Sequence, residues 1–394
     1  MSATVFTRKV DAPATHAIVI GVGRYPHLAG GGGSLTQVAN VMGMGQLASP
    51  PVSARRVARW ILEHYESADR PLASLALLTS EKNGKPFTFK RLGSTKSVSV
   101  TPVAATMTEV SKAIKEWHAR GDADPRHLLL FYFCGHGIGA GVDLALLLAN
   151  FGDELESPLM SGAIDFRRFH TGMEECAARH QCYFVDACQV GSELIVRNAG
   201  YAGRPIIEWT GKPNPGGQLS LGPTFYATVR DESAYGQAGK VSIFTGALLE
   251  ALRGAACADQ DGSWIVQAGL VHHAITELMQ KASETLGLTL GQTPKSEVTG
   301  AISLNTVTDP IVPVFVSVEP TEAHAVAVLR CEGGGPEKPI KEKRKPDPLP
   351  WHLSIPIGTY NFYADFKANT FRASPRLNQE IRPPYQRRTL QAHQ

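Results

Sequence analysis

The most constraining feature of this sequence is a set of short, nearly continuous apolar runs, each ending in glycine or a polar residue. The clearest are HLLLFYF, which begins at His127, and QCYFV, which begins at Gln181. A strand that is apolar on both sides must be covered on both faces, as the strands of a parallel sheet are. The runs therefore predict a mainly parallel sheet with helices on both of its faces.

Amphipathic patterns of helical spacing alternate with these runs over the first 300 residues. Two of them carry a start signal. Ser53, which follows two prolines, is a candidate N-cap, and Thr106 with Glu109 forms a capping box. Further helical patterns cover residues 244–252 and 270–278. Strands that alternate with helices predict an α/β fold in which helical crossovers connect the parallel strands.

The composition of the chain changes near Asp309. Beyond that point, short segments alternate apolar with polar residues and are broken by proline and glycine, which is typical of a small antiparallel β domain. Residues 332–350 are basic and rich in proline, and we interpret them as an exposed hairpin loop, with a partner or nucleic-acid patch as the alternative. We expect an α/β domain over residues 1–306 and a small all-β domain, an immunoglobulin-like sandwich, over residues 310–394.

Charge and cysteine content narrow the class of protein. A net charge of +3 over 394 residues gives no case for nucleic-acid binding through bulk electrostatics. The six cysteines form no C-x-x-C pair and no dense framework, so we expect reduced thiols. The N-terminus lacks the apolar core of a secretory signal, and no run reaches the roughly 18 apolar residues of a membrane helix. These features predict a cytoplasmic protein that binds neither nucleic acid nor a membrane.

Two chemically reactive residues follow the two clearest runs. His136 stands just past the first, and Cys188 just past the second. Because ligands bind outside the carboxyl ends of parallel strands, we expect these side chains to meet at one edge of the sheet, where a thiol beside an imidazole allows nucleophilic catalysis. Gly135 and Gly137 are expected to let the backbone turn sharply, and the N–H groups of Gly137 and Cys188 are candidate donors to an oxyanion.

A metal site formed by Cys134, His136 and Cys188 lacks a fourth ligand, so no metal and no cofactor is predicted. Cys134 and Cys182 lie within or beside their apolar runs and are expected to be core residues. Asp259 and Asp261 resemble the start of a calcium loop, but no acidic residue stands at its last position, so we expect a turn there.

The motifs FYFCGHG and VDACQVGS resemble those of the caspase-like peptidases, the superfamily of caspases, metacaspases, paracaspases, separases and gingipains. The resemblance extends over roughly residues 14–300. It implies a large-subunit-like part to about residue 190, a linker over 190–223 and a small-subunit-like part over 224–306, where SIFTGALLEAL resembles an opening helix. It also implies that Cys188 is the nucleophile and that His136 is the base that activates it and protonates the leaving amine. Such a dyad needs no third carboxylate. Asp143 is a candidate to orient the imidazole, and the alternative is that it belongs to a loop turn.

The same resemblance bears on specificity. Asp186 stands two residues before the nucleophile, as in metacaspases and gingipains, which implies a substrate with Arg or Lys at P1. Alternatively, Asp186 holds the turn at the end of its strand. The second acidic residue expected after the first strand is missing, because Arg24 and His27 occupy that stretch. Arg24 is therefore a second candidate substrate-binding residue, and a small or apolar P1 stays open.

The resemblance predicts a cysteine endopeptidase that acts on protein substrates and is gated by a nucleotide second messenger or a protein activator, in bacterial stress or antiphage defence. With a basic P1, Arg197, Arg204 and Lys212 become candidate self-cleavage sites in the linker; the alternative is an uncut active-site loop. Two other functions stay open. One is a catalytically silent scaffold, and the other is a cysteine hydrolase that acts on small amides rather than peptides.

Overall fold

The computed structural model describes residues 2–11, 13–34, 43–140, 143–153, 160, 162–187, 203–212, 222–227, 239–286, 294–297, 302–334, 339–367, 371–372 and 375–393. By the density of its internal contacts the chain forms two compact units. The first comprises Met1–Gly246 with Leu290–Ile302, and the second comprises Ala247–Thr289 with Ser303–Gln394. The predicted domain boundary at residues 306–310 stays a prediction.

The first unit is built on one main sheet, for which the described residues supply seven strands in the order β1–β3–β2–β6–β10–β11–β14. The strands are β1 (Thr4–Thr7), β2 (Thr15–Val22), β3 (Leu72–Ser80), β6 (Leu128–Gly135), β10 (His180–Ala187), β11 (Thr224–Tyr226) and β14 (Lys295–Glu297). All neighbours from β3 to β11 are parallel, whereas β1 and β14 pair antiparallel at the edges. The predicted mainly parallel sheet is confirmed.

Helices cover both faces of this sheet. They are α1 (Ser49–His64), α2 (Met107–Gly121) and α3 (Phe166–Met173). A Cβ added to Gly21 of β2 would lie 2.5 Å from the Cβ of Ala54, so the start of α1 rests directly on that backbone. Ile20 instead shares a buried core with Ile114 of α2. Because successive strand residues face opposite sides, α1 and α2 lie on opposite faces of the sheet.

The two predicted helix starts had different outcomes. The prediction that Ser53 is an N-cap is wrong, because α1 begins at Ser49 and its first turn contains the prolines. N–H groups in a first turn have no intrahelical acceptor, so proline is tolerated there. The capping box is confirmed at its N-cap, where the hydroxyl of Thr106 accepts the N–H of Glu109 at 3.4 Å.

Two smaller sheets complete the described part of the first unit. β4 (Phe87–Lys90) pairs with β5 (Ser97–Val100), and β8 (Asp143–Leu147) lies between β7 (Gly137–Ala140) and β9 (Ala163–Asp165). The apolar run LALLL thus forms a strand outside the main sheet. β7 begins one residue after His136, so the expected sharp turn at Gly135 and Gly137 is wrong: the backbone continues in extended form into a second sheet.

Helix α4 (Ile243–Glu250) contains the boundary between the units and continues as a π-helical turn, Ala251–Ala255. The second unit then adds β12 (Cys257–Gln260), β13 (Ser263–Gln267), α5 (Ala268–Leu286) and β15 (Ser303–Val307). β13 pairs antiparallel with both β12 and β15. Asp261 and Gly262 form the β12–β13 turn with φ of +50° and +83°, which confirms a turn where the calcium-loop pattern begins.

The C-terminal strands form a sandwich of two sheets. Its elements are β16 (Ile311–Glu319), α6 (Thr321–Val326), β17 (Val328–Gly333), β18 (Ile340–Arg344), β19 (Trp351–Pro356), β20 (Gly358–Asp365), β21 (Leu377–Ile381) and β22 (Gln386–Gln391). Within the described residues, the sheets run β19–β16–β22 and β18–β17–β20–β21. Their inward residues, among them Val314, Cys331 and Phe362, share one apolar core. The predicted all-β sandwich is confirmed.

Three details of the sandwich differ from the sequence-based expectation. Thr321–Val326 is a short helix, held by His324, whose ring accepts the N–H of Val318 at 2.9 Å. The basic stretch predicted to be a hairpin loop contributes β18, whose lysines stand on an edge strand, where charge discourages pairing with other chains. β16 and β22 are parallel, which the long connection through the other sheet allows.

Among the described helices, none has both the length and the apolar character needed to cross a membrane.

Candidate active site

The two predicted catalytic residues directly follow the ends of two adjacent parallel strands. β6 and β10 pair in register, with Asp186 opposite Cys134 and Ala187 opposite Gly135. His136 follows Gly135 directly, and Cys188 follows Ala187 directly. Cys188 itself lies outside the described residues. The register shows that the residues immediately before the two predicted catalytic residues are cross-strand neighbours at the carboxyl edge of the sheet.

His136 is buried, and its imidazole and backbone are both held by hydrogen bonds. Its Nε2 lies 2.8 Å from the carbonyl oxygen of Gly45. Because a carbonyl only accepts, Nε2 must carry the hydrogen, and the lone pair of the neutral ring is then on Nδ1. The His136 carbonyl accepts the N–H of Leu147 at 3.0 Å. The imidazole is therefore fixed in the tautomer that leaves Nδ1 able to accept a proton.

Tyr25, the second residue after Gly23 in the loop that follows β2, anchors the backbone of His136. Its fully buried hydroxyl accepts the His136 N–H at 2.8 Å, and the two ring centroids lie 4.9 Å apart. A Cβ on Gly135 would come within 2.8 Å of that hydroxyl and 3.0 Å of the Phe133 ring. Gly135 is thus required by the space that Tyr25 occupies, and its φ is not in the left-handed region.

Asp186 lies in a buried network of hydroxyl and thiol groups. One of its oxygens, Oδ2, accepts hydrogen bonds from the hydroxyls of Ser242 and Thr245, the latter at 2.6 Å, and from the thiol of Cys134 at 3.3 Å. The hydroxyl of Tyr132 lies 3.5 Å from the same oxygen and 2.6 Å from Thr245 Oγ1. Burial raises the pKa of the Asp186 carboxyl, and the bonds from Ser242, Thr245 and Cys134 offset part of that rise.

The start of α4 supplies two of these donors. The Ser242 hydroxyl accepts the N–H of Thr245 at 3.0 Å and donates to Asp186. The same hydroxyl therefore caps the helix and binds the carboxylate. The Ser242 N–H in turn donates to the hydroxyl of Ser53 at 3.0 Å. The positive end of the α4 dipole therefore faces Asp186, an arrangement that favours a negative charge there.

Comparison with known proteins identifies the family. A family profile described as the caspase domain matches residues 86–297, more than half of the chain and a range that includes both His136 and Cys188. This chain belongs to the caspase-domain family. It is also 30% identical over 196 residues to the uncharacterized protein y4kE of Sinorhizobium fredii (strain NBRC 101917 / NGR234), an alignment that covers 49% of this chain and 52% of that relative. The chain thus spans about half the length of the curated relative.

Membership of the caspase-domain family confirms the predicted superfamily and the α/β fold class, and it supports a cysteine peptidase-like domain. The cysteines among the described residues, including the expected core residues Cys134 and Cys182, are buried free thiols. Four residues that hold His136 and Asp186 were not identified from the sequence, namely Gly45, Tyr25, Ser242 and Thr245. For Ser242, the only available signal was a hydroxyl residue directly before an apolar helical run.

Arg24 is placed apart from Asp186. It lies on a cavity of about 510 Å³ beyond the carboxyl ends of β2 and β3, which Asp186 does not line. The cavity is lined by charges of both signs, the cations of Arg24, Arg55 and Lys85 and the carboxylates of Glu81 and Asp153, and Arg55 forms an ion pair with Glu81. Arg24 donates its backbone N–H to the Ser80 carbonyl at 3.0 Å, and the residue is exposed to solvent.

Part of the predicted linker is described and is fastened to this unit. The N–H of Arg204 donates to the Ala163 carbonyl at 2.8 Å, and the Arg204 carbonyl accepts the N–H of Asp165 at 3.0 Å. Farther along, the Glu175 carboxylate accepts the N–H groups of Thr210 and Lys212 at 2.9 and 3.0 Å. Two of the three predicted self-cleavage sites therefore have paired backbone, and both precede a proline, while Arg197 lies outside the described residues.

Proposed function

We propose that this chain is a cysteine endopeptidase in which Cys188 is the nucleophile and His136 the general base. The observation that carries the proposal is the register of β6 and β10, which pairs the residue before His136 with the residue before Cys188. Neighbouring strands lie about 4.8 Å apart, so two residues at matched ends are within reach of each other. Membership of the caspase-domain family supports the same pair.

In the proposed reaction, Nδ1 of His136 takes the proton of the Cys188 thiol, and the thiolate attacks the carbonyl carbon of the scissile peptide bond. The hydrogen bond from Nε2 to Gly45 strengthens as the ring becomes an imidazolium, because a charged donor binds an acceptor more tightly. The C–N bond breaks as the imidazolium returns the proton to the leaving amine. Water then attacks the thioester, which releases the acid and restores the thiol.

The backbone N–H of Gly137, together with that of Cys188, is the proposed oxyanion donor. The His136 carbonyl accepts the Leu147 N–H, so these two residues stand where a bonded pair would extend the β7–β8 ladder by one position, although the His136 N–H goes to the Tyr25 hydroxyl instead. In an antiparallel ladder such pairs alternate with pairs whose N–H groups point outward. The next pair, Gly137 with Leu146, therefore directs the Gly137 N–H away from β8, where it is able to donate to a developing oxyanion.

The proposed substrate carries Arg or Lys at P1, bound by Asp186. Supporting this, the hydrogen bonds from Ser242, Thr245 and Cys134 all go to Oδ2, and none of the three uses Oδ1. Oδ1 is then the atom proposed to accept from the P1 cation. An ion pair in so buried a site would favour a charged P1 strongly, because an unpaired buried carboxylate is costly. Arg24 is proposed to contact another part of the substrate.

The proposal has four further parts. The substrate is a protein, and a nucleotide second messenger or a protein activator gates the enzyme. The chain acts in bacterial stress or antiphage defence, and it is located in the cytoplasm. The chain's second unit, with its separate C-terminal sandwich, is the part proposed to respond to the activator. Each of these stays a prediction.

Cleavage-site profiling of a peptide library tests the chemistry, with the wild-type chain, Cys188→Ala and Cys182→Ala compared side by side. We expect cleavage by the wild type and by Cys182→Ala, which loses a buried thiol of the same strand, and none by Cys188→Ala. Cell lysate and nucleotide extracts are added as sources of an activator. Cleavage that survives Cys188→Ala would remove Cys188 as nucleophile. Hydrolysis of small amides without peptide cleavage, or no turnover with any addition, would favour the two alternative functions.

A second comparison tests P1 recognition. Asp186→Asn keeps the shape of the side chain, and the Ser242 and Thr245 hydroxyls can accept as well as donate, so we expect a folded protein. The kcat/KM ratio of P1 Arg to P1 Gln peptides should fall about a hundredfold, which is the size expected for a buried charge pair. Asp69→Asn, an exposed aspartate, is the control. An unchanged ratio would assign Asp186 a purely structural role.

A further inference from the structure

A second group of reactive side chains lies at the opposite edge of the main sheet. His118 and Asp122 are one helical turn apart at the C-terminal end of α2, and Cys176 follows α3. An imidazole nitrogen, a carboxylate oxygen and the thiol sulfur of these three residues all lie within 4.8 Å of one another. The 8 residues of β6 run from this edge to His136, so about 25 Å of strand separates the two places.

We propose that His118, Asp122 and Cys176 bind a divalent transition-metal ion, and that Zn²⁺ fits them best. Thiolate, imidazole and carboxylate are the three side-chain ligand types of zinc in proteins. A sulfur ligand disfavours magnesium and calcium, which select oxygen. Three protein ligands with water in the fourth position complete a tetrahedral ion. Binding replaces the thiol proton of Cys176 with the metal, and that proton passes to water.

The distances suit such an ion. His118 Nδ1 and Asp122 Oδ2 are 3.3 Å apart. Zinc–nitrogen and zinc–oxygen bonds of about 2.0–2.1 Å at a tetrahedral angle place two such ligand atoms about 3.3 Å apart. With a zinc–sulfur bond of about 2.3 Å, the same tetrahedral geometry places the Cys176 sulfur about 3.6 Å from the His118 nitrogen and from the Asp122 oxygen. The three atoms now lie within 4.8 Å of one another, so a small change of rotamer brings the sulfur to that distance.

Surrounding groups orient these ligands and favour a cation. The other oxygen of Asp122, Oδ1, accepts the N–H of Ala177 at 2.8 Å, which fixes the carboxylate in the way that supporting groups orient metal ligands. The Cys176 sulfur lies 4.0 Å from the His118 carbonyl and rests on the last turn of α2, where a Cβ on Gly121 would approach it to 2.9 Å. The C-terminal end of a helix carries partial negative charge, which attracts a cation.

A simpler explanation accounts for part of this arrangement. His118 and Asp122 stand four residues apart, so they could pair on the helix surface without any third group. That explanation does not include Cys176, whose fully buried thiol donates to the His118 carbonyl at 4.0 Å and whose sulfur comes within 4.8 Å of the same imidazole and carboxylate atoms from a different element. The convergence of three ligand types from two separate elements is the observation that points to a metal.

Titration with Co²⁺ and Zn²⁺ tests the proposal, using the full chain with Cys188→Ala so that the proposed catalytic pair cannot bind the ion. We expect one equivalent of Co²⁺ to give the near-ultraviolet band of a thiolate–cobalt bond, and Zn²⁺ to displace it and raise the Tm. His118→Gln, at a partly exposed position that should not affect folding, and Cys176→Ala should each weaken binding at least about a hundredfold. His64→Gln, an exposed histidine in the last turn of α1, is the control and should bind as the parent does.

The outcomes separate clearly. Loss of the thiolate band and of the Tm rise in both site variants, with circular dichroism unchanged, supports the site. The proposal is overturned if the parent binds no Co²⁺, if the bound Co²⁺ shows no thiolate band, or if His118→Gln binds as tightly as His64→Gln. If Cys176→Ala fails to fold, Asp122→Asn replaces it as the second site variant, because the Asp122 side chain is 44% exposed and asparagine keeps its shape.

Discussion

The contact between Gly135 and Tyr25 gives a quantitative test of how the proposed catalytic histidine is held. In Gly135→Ala, the added methyl group would lie 2.8 Å from the Tyr25 hydroxyl and 3.0 Å from the Phe133 ring. Both neighbours are fully buried and cannot swing aside. Overpacking of this kind typically costs about 1–3 kcal/mol of unfolding free energy. Tyr25→Phe should also cost about 1–3 kcal/mol, because the buried N–H of His136 loses its acceptor.

The double variant Gly135→Ala/Tyr25→Phe should cost less than the sum of the two. Removing the hydroxyl clears the closest contact, and only the tight approach to Phe133 remains for the methyl group. We expect a favourable coupling of about 1 kcal/mol or more, above the roughly 0.5 kcal/mol within which independent sites add. Urea unfolding in the Cys188→Ala protein, with an unchanged m value, measures all four corners.

Gly84→Ala is the matched control for this cycle, because a Cβ there meets nothing within 4 Å. It should change the unfolding free energy by no more than about 0.5 kcal/mol. Strict additivity of Gly135→Ala and Tyr25→Phe would refute the reasoning, since it would mean that the methyl group and the hydroxyl do not compete for the same space. A neutral Gly135→Ala would refute it equally.

Two further predictions concern other parts of the first unit. Burial, with a smaller effect of the neighbouring His127, lowers the pKa of His16 from 6.5 to about 4. The unfolded chain therefore binds this proton below pH 6.5 and the folded chain only below about 4, so this contribution to stability is complete above pH 6.5 and is lost, by up to about 3 kcal/mol, as the pH falls from 6.5 through 4. His16→Gln should flatten the pH dependence of the urea-measured unfolding free energy between pH 6.5 and 4. An unchanged pH dependence would contradict this prediction. Glu175→Ala should release the backbone of the linker at Thr210 and so speed chymotrypsin cleavage at Trp209, which is 62% exposed, whereas the control Glu174→Ala should not. Mass spectrometry follows the cleavage, and equal cleavage rates in the two variants would contradict the role of Glu175 in holding the linker.

The central parallel strands of the main sheet were predictable from the sequence because each is specified locally, whereas the short edge strands β1 and β14 were not predicted. A run such as HLLLFYF is apolar on both sides, and a strand covered on both faces is the structure that buries it. The helix α2 was predictable for a similar reason, since its cap and its apolar spacing lie within one short segment. One error fell where local patterns conflict: the alternation around His324 suits a strand, but the ring of His324 bonds to a neighbouring strand and a short helix forms instead.

By itself, the sequence determined which residues stand at the ends of the central strands, because the side-chain period of a strand and the motifs around His136 and Cys188 are properties of adjacent positions. Only the tertiary structure decided what those residues contact. The Tyr25 hydroxyl and the Gly45 carbonyl reach His136 from more than 90 positions away, and the hydroxyls of α4 cover one oxygen of Asp186 from more than 50. Hydrogen-bond partners at such separations are chosen by how whole elements pack, so no local pattern in the sequence encodes them.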